Sequence, residues 1–148
     1  MIYFSQHGAA LNKDIDKQRP LSDIGVNETH HVASKLKDKN IVISKIFHSG
    51  KLRALQTATI FSEVLNVSTV AELSGMSPND DPNTLLEQLS DDNVMYVGHL
   101  PHIQKVVSTL VTANEDADVI NFKNSAVACI QITGNTANLN WFISPDSC

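Results

Sequence analysis

Three short apolar runs each end on a polar group that contains a histidine, and helical patterns lie between them. Ile2-Tyr3-Phe4 leads into Gln6-His7-Gly8, Ile46-Phe47 into His48-Ser49-Gly50, and Val94-Met95-Tyr96-Val97 into Gly98-His99. Apolar runs this short suit buried strands. Strands that alternate with helices imply βα units, hence an α/β fold with a mostly parallel sheet covered on both faces. In open sheets of that kind, ligands bind outside the carboxyl ends of the strands. The three polar exits therefore locate a pocket without naming its chemistry.

The helical segments follow from spacing and caps. After a loop over residues 8–21, Ser22 is an N-cap, and Val32, Ala33 and Leu36 supply an apolar face. Lys35, Lys37 and Lys39 fall in or just past the last turn, where cations suit the helix dipole. Leu52 to Leu65 reads as a second helix, with Leu55, Ala58, Phe61 and Leu65 as its stripe. Residues 66–92 read as polar loops around a short helix near Leu85, Leu86 and Leu89. Pro101 opens a further helix whose stripe is Ile103, Val106, Val107, Leu110 and Val111. A hairpin closes the chain, from Ala126 to Thr133 and Ala137 to Ile143, turning at Gly134-Asn135.

Composition narrows the class. The 148 residues fit one domain spanning 1–148. No apolar run approaches the roughly 20 residues a membrane span needs. The start lacks a basic segment and a long apolar stretch, so no signal peptide is expected. Cys129 and Cys148 form no CxxC pair, which fits a reducing cytoplasm. A formal charge of −5 argues against a nucleic-acid or anionic membrane partner. A cytoplasmic monomer is the expectation.

Among the six histidines, His30 and His31 read as a solvated helix face and His102 as a surface residue early in its helix. His7 and His99 differ, because each follows a buried strand and adjoins a glycine that lets the backbone approach a ligand. Arg53 sharpens this. The chain has only two arginines, Arg19 and Arg53, and Arg53 sits in the first turn of a helix, where a cation opposes the dipole. No acid lies within ten residues before it or nine after. An anion explains that placement better than helix stability does, since arginine suits bidentate contact with phosphate oxygens.

Four blocks now carry a resemblance. Gln6-His7-Gly8, Arg19-Pro20-Leu21-Ser22 with Gly25, Ser49 to Ala58, and Gly98-His99-Leu100-Pro101 follow the order and spacing of the histidine phosphatase superfamily. The short chain, the Arg-Pro-Leu-Ser segment, and Phe122, Ser125-Ala126 and Trp141 resemble its SixA-like phosphohistidine phosphatase branch. The resemblance spans Ile2 to Pro145 and implies a three-layer, phosphoglycerate mutase-like sandwich with a C-terminal hairpin. It departs from the family in two places. Gln6 stands where the Arg-His-Gly motif has arginine, and Ala9 replaces an acid often found two residues after the histidine. A neutral hydrogen bond is roughly half as strong as a charge-assisted one.

The resemblance implies a metal-independent phosphatase without a cofactor, acting on a phosphohistidine protein such as a histidine-containing phosphotransfer domain. His7 would attack phosphorus and form a phospho-His7 intermediate that water cleaves. Arg53 and a protonated His99 would neutralise the equatorial oxygens, with Gln6 as a neutral donor and Arg19 as a further phosphate contact. Glu72, Asp80 and Asp81 are the available general acids, each also readable as a solvated loop acid. Three rivals remain at this level: a metal hydrolase built on His7, His48, His99 and His102, a non-catalytic phosphoryl-binding module, and an enzyme acting on small phosphate esters, whether a phosphatase or a phosphoglycerate mutase.

Overall fold

A computed structural model describes residues 1–147; Cys148 lies outside the described residues. The elements in chain order are β1 (Ile2–Gln6), α1 (Asp23–Asp38), β2 (Lys45–His48), α2 (Leu52–Leu65), β3 (Val70–Glu72), α3 (Pro82–Leu86), β4 (Val94–Gly98), α4 (His102–Thr112), β5 (Val127–Thr133) and β6 (Thr136–Ile143). One six-stranded sheet has the order β3-β2-β4-β1-β5-β6. Strands β3, β2, β4 and β1 are parallel, while β5 and β6 run antiparallel as the hairpin. The fold is the expected α/β sandwich with a mostly parallel sheet.

Period-two alternation builds the two cores. Tyr3, Met95 and Val97 point to the face covered by Val32, Ala33 and Leu36 of α1 and Ala54, Ala58 and Phe61 of α2. Ile2, Phe4, Val94 and Tyr96 point to the other, under Leu85 of α3 and Ile103, Val106 and Val107 of α4. Burying a side chain such as Phe61 contributes about 1.5–3 kcal/mol relative to leaving it exposed. No helix among the described residues is long and apolar enough to cross a membrane.

Ser22 caps α1 as expected: its Oγ accepts from the Gly25 amide at 3.0 Å. Three expectations need correcting. The buried face of α2 carries Ala54 rather than Leu55, which is 38% exposed. Spacing alone does not distinguish these neighbours, because either continues to Ala58 and Phe61. Strand β3 occupies part of what read as loop. It is a three-residue edge strand, only partly buried, so it shows no apolar run. Finally, His102 is buried at 1% exposure, beneath the segment bearing Gly75, Asp80 and Asp81. His30 and His31 are exposed, as expected.

Strand order positions the site. β1 and β4 are neighbours in parallel, with Gln6 opposite Gly98. The helix after β1 lies on one face and the helix after β4 on the other. Such a switch point opens a crevice at the carboxyl edge, and His7 and His99 are the next residues along the two strands.

Candidate active site

The His7 amide continues the ladder by donating to the Gly98 carbonyl at 3.0 Å. That bond brings the two imidazoles side by side, with ring centroids 4.9 Å apart and planes inclined by 50°. His7 Nδ1 lies 2.7 Å from the Gly8 carbonyl oxygen. A carbonyl only accepts, so Nδ1 carries the proton and Nε2 keeps its lone pair. Asn124 Nδ2 donates to the His7 carbonyl at 3.0 Å, holding the backbone from the far side.

The block around Arg53 is tied to the same strand exit. Thr57 Oγ1 accepts from the Gly8 amide at 2.9 Å and donates to the Arg53 carbonyl at 2.8 Å. Gln56 Oε1 accepts from the Leu21 amide at 2.7 Å, docking the 8–21 loop on α2. That loop also meets α1 closely: a Cβ on Gly25 would lie 2.0 Å from the Ala9 oxygen, so only glycine fits there. Arg19 adopts a left-handed backbone (φ 50°), and its Nε donates to the Leu11 carbonyl at 3.0 Å. Arg53 Nε is buried without a hydrogen-bond partner. The first turn of α2 has no acid and no side-chain cap.

Burial, reinforced by the cationic neighbours, leaves both histidines neutral. Burial pushes His7 down to about 4, with Arg53 and Arg19 adding to the shift and the Gly8 bond opposing it. Burial also pushes His99 down to about 3, helped by His7, Arg53, Lys51 and His102. The expectation of a protonated His99 is therefore not met in the protein by itself, because burial and the neighbouring cations disfavour the charged ring. His99 Nε2 instead pairs with Ser49 Oγ at 2.6 Å, and its Nδ1 is buried without a partner. Arg53 is likewise lowered, first by burial and then by Arg19.

The structure thus gathers His7, His99, Arg53 and Arg19 at one edge. Arg19 and Arg53 line a cleft of about 530 Å³ together with Lys51 and Asp80. Gln6 is placed differently: it lines a separate cleft of about 310 Å³ with Glu28, Asn124 and Asp146.

A curated relative, the phosphohistidine phosphatase SixA of Escherichia coli K12, is 30% identical over 97% of this chain and 93% of its own length. The chain belongs to the SixA family of phosphohistidine phosphatases. Solved structures agree: SixA complexed with tungstate superposes with a TM-score of 0.85 at 27% identity, covering 98% of this chain and 97% of that one. A phosphoserine phosphatase from Entamoeba histolytica, bound to 3-phosphoglyceric acid, has the same fold at a TM-score of 0.75 and 15% identity, over 97% and 96% of the chains. No family profile matches the chain. Membership makes the protein a phosphatase of the histidine phosphatase superfamily.

The remaining histidines and acids have their own places in this SixA-family fold. His48 accepts from the Gly50 amide through Nδ1 at 3.0 Å, and burial lowers its pKa against the pull of Glu72. Among the described residues, no three His, Cys, Asp or Glu side chains group as metal ligands. Of the candidate acids, Asp81 caps α3 through the Asn83 amide at 3.0 Å, and Asp80 accepts from the Ser77 amide at 2.9 Å. Glu72 ends β3 with its carboxylate over Gly50. Sequence reasoning assigned no role to Ser49, Thr57 or Asn124. Their hydroxyl and amide groups act through long-range hydrogen bonds, and only the position of Ser49 after a strand hinted at one.

Proposed function

We propose that the protein hydrolyses phosphohistidine on a protein substrate through a covalent phospho-His7 intermediate. The observation that carries this reading is the His7–Gly8 bond, which leaves Nε2 unprotonated on a ring that packs against His99 and feels the charge of Arg53. Nε2 attacks phosphorus in line as the bond to the substrate imidazole breaks. That imidazole, protonated on its other ring nitrogen, leaves as a neutral molecule whose conjugate acid has a pKa of about 6.5. Water then attacks the phosphoryl group and releases phosphate, freeing Nε2.

Arg53 and Arg19 supply fixed positive charge to the equatorial oxygens. A phosphoryl dianion beside His99 raises its proton affinity, so His99 takes up a proton as substrate binds and then stabilises the same oxygens. Gln6 precedes the nucleophile in the chain but lines the separate cleft with Glu28 and Asp146, so it takes no leading part in charge neutralisation. The leaving group supports phosphohistidine over phosphate esters. An alkoxide, with a conjugate acid pKa near the 15.7 of water, needs a general acid, and two of the three candidate acids here are engaged by backbone amides.

The test is phosphate release from a phosphohistidine peptide and from a phosphoserine peptide of the same sequence. Wild type is expected to act on the former at least about a hundredfold faster, and His7→Ala to lose more than about a thousandfold on it. Equal rates on the two peptides would remove the substrate reading, and an active His7→Ala would remove the nucleophile.

A further inference from the structure

The cleft that holds Arg19 and Arg53 contains more positive charge than a phosphoryl group needs. Lys13, Lys17 and Lys51 complete its cationic lining, against the single carboxylate of Asp80. Five of the chain's eleven lysines and arginines therefore surround one cleft on a protein of net charge −5. The three lysines are exposed, and none makes an ion pair among the described residues. Asp80 is engaged with the Ser77 amide. A phosphoryl group carries about −1.5 to −2, which the two arginines match, so the lysines are surplus to it. Clustered like charges repel and do nothing for the fold.

We infer that Lys13, Lys17 and Lys51 form a docking face for a carboxylate-rich surface surrounding the phosphohistidine of the substrate protein. The inference rests on the phosphatase reading and adds the partner's chemistry. The 8–21 loop supplies Lys13 and Lys17, and between them Ile15, flanked by Asp14 and Asp16, is 73% exposed as an apolar contact beside the cleft. Leu100, directly after His99, is 37% exposed. An apolar contact with a charged surround is the anatomy of a protein interface. Asp14 and Asp16 of the same loop do not line the cleft. Lysines on flexible stems suit scattered carboxylates, and their collective field speeds encounter with an acidic partner.

The experiment uses two fluorescent peptides of equal length, each with one chemically phosphorylated histidine. One is flanked by Asp and Glu, the other by Ser and Gln. Anisotropy reads binding and phosphate release reads turnover, at low and high salt. The acidic peptide is expected to bind about tenfold more tightly to wild type, with the preference vanishing at high salt and in Lys13→Glu/Lys17→Glu. Equal binding by wild type, or a preference that survives the double variant, overturns the docking face. So does tighter binding of a single-stranded oligonucleotide than of the acidic peptide, which would make the cleft a polyphosphate groove. Discrimination in binding without phosphate release supports the docking face and counts against the catalytic reading alone.

Discussion

Gln6, the residue before His7, shares its cleft with Glu28, Lys123 and Asp146, and the last two are paired at 2.6 Å. Arg19 and Arg53, whose charges act on His7, share theirs with three lysines and one acid. One cleft carries two acids against one lysine and the other is strongly cationic. On the proposed reading, the difference assigns phosphoryl binding to the cationic cleft. The position that carries arginine in the family motif faces a cleft with an excess of carboxylate here, and the positive charge is concentrated on the 8–21 loop and the start of α2. The site is asymmetric: a neutral amide and a carboxylate on one side, guanidinium groups on the other.

That asymmetry is most directly broken from the cationic side. Arg53→Ala should lower kcat/KM on a phosphohistidine peptide by about a hundred- to a thousandfold, while Gln6→Ala should cost less than about fivefold in the same assay. Comparable losses would mean that both clefts contribute equally.

The next test reads what burial and the nearby cations impose on the two imidazoles. Folding lowers the His7 pKa from 6.5 to about 4, so the unfolded chain binds more protons than the folded one between those values. Stability is therefore fully present above about pH 6.5 and declines as the pH falls toward 4. His99, lowered to about 3, acts in the same direction. NMR titration of the imidazole resonances should show both rings neutral at pH 6. Protonation of His7 near pH 6.5 would mean that burial and the two arginines do not act on it as described.

The smallest effect is expected from the acidic side. Gln6→Arg should tighten binding of inorganic phosphate by about threefold in calorimetry, less than a charge-assisted contact usually contributes, because Glu28 shares the cleft. A gain as large as the loss in Arg53→Ala would make the two sides equivalent.

Much of this could be read from the chain. Apolar runs ending in histidine and glycine marked β1, β2 and β4, since buried parallel strands are continuous in hydrophobicity. Ser22 and the glycine of the hairpin turn announced their elements through local chemistry. The pairing of His7 with His99 followed from strand exits, and Arg53 from its unfavourable place at a helix start. Other features depend on distant parts of the chain. β3 is an edge strand stabilised by its neighbour's register, His102 is buried by a loop some twenty residues away, and His99 loses its proton to surroundings drawn from several segments. The meeting of Lys13 and Lys17 with Lys51 depends on how the 8–21 loop docks on α2, through Gln56 and Leu21.

The central claim is that His7 Nε2 takes the phosphoryl group. Mixing wild type with a labelled phosphohistidine peptide, denaturing rapidly in alkali, and mapping the label by mass spectrometry tests it most directly. The account predicts a transient phosphoenzyme labelled on His7 and no other residue, absent from His7→Ala. Full phosphate release with no labelled protein at any time, or label on another side chain, would contradict it.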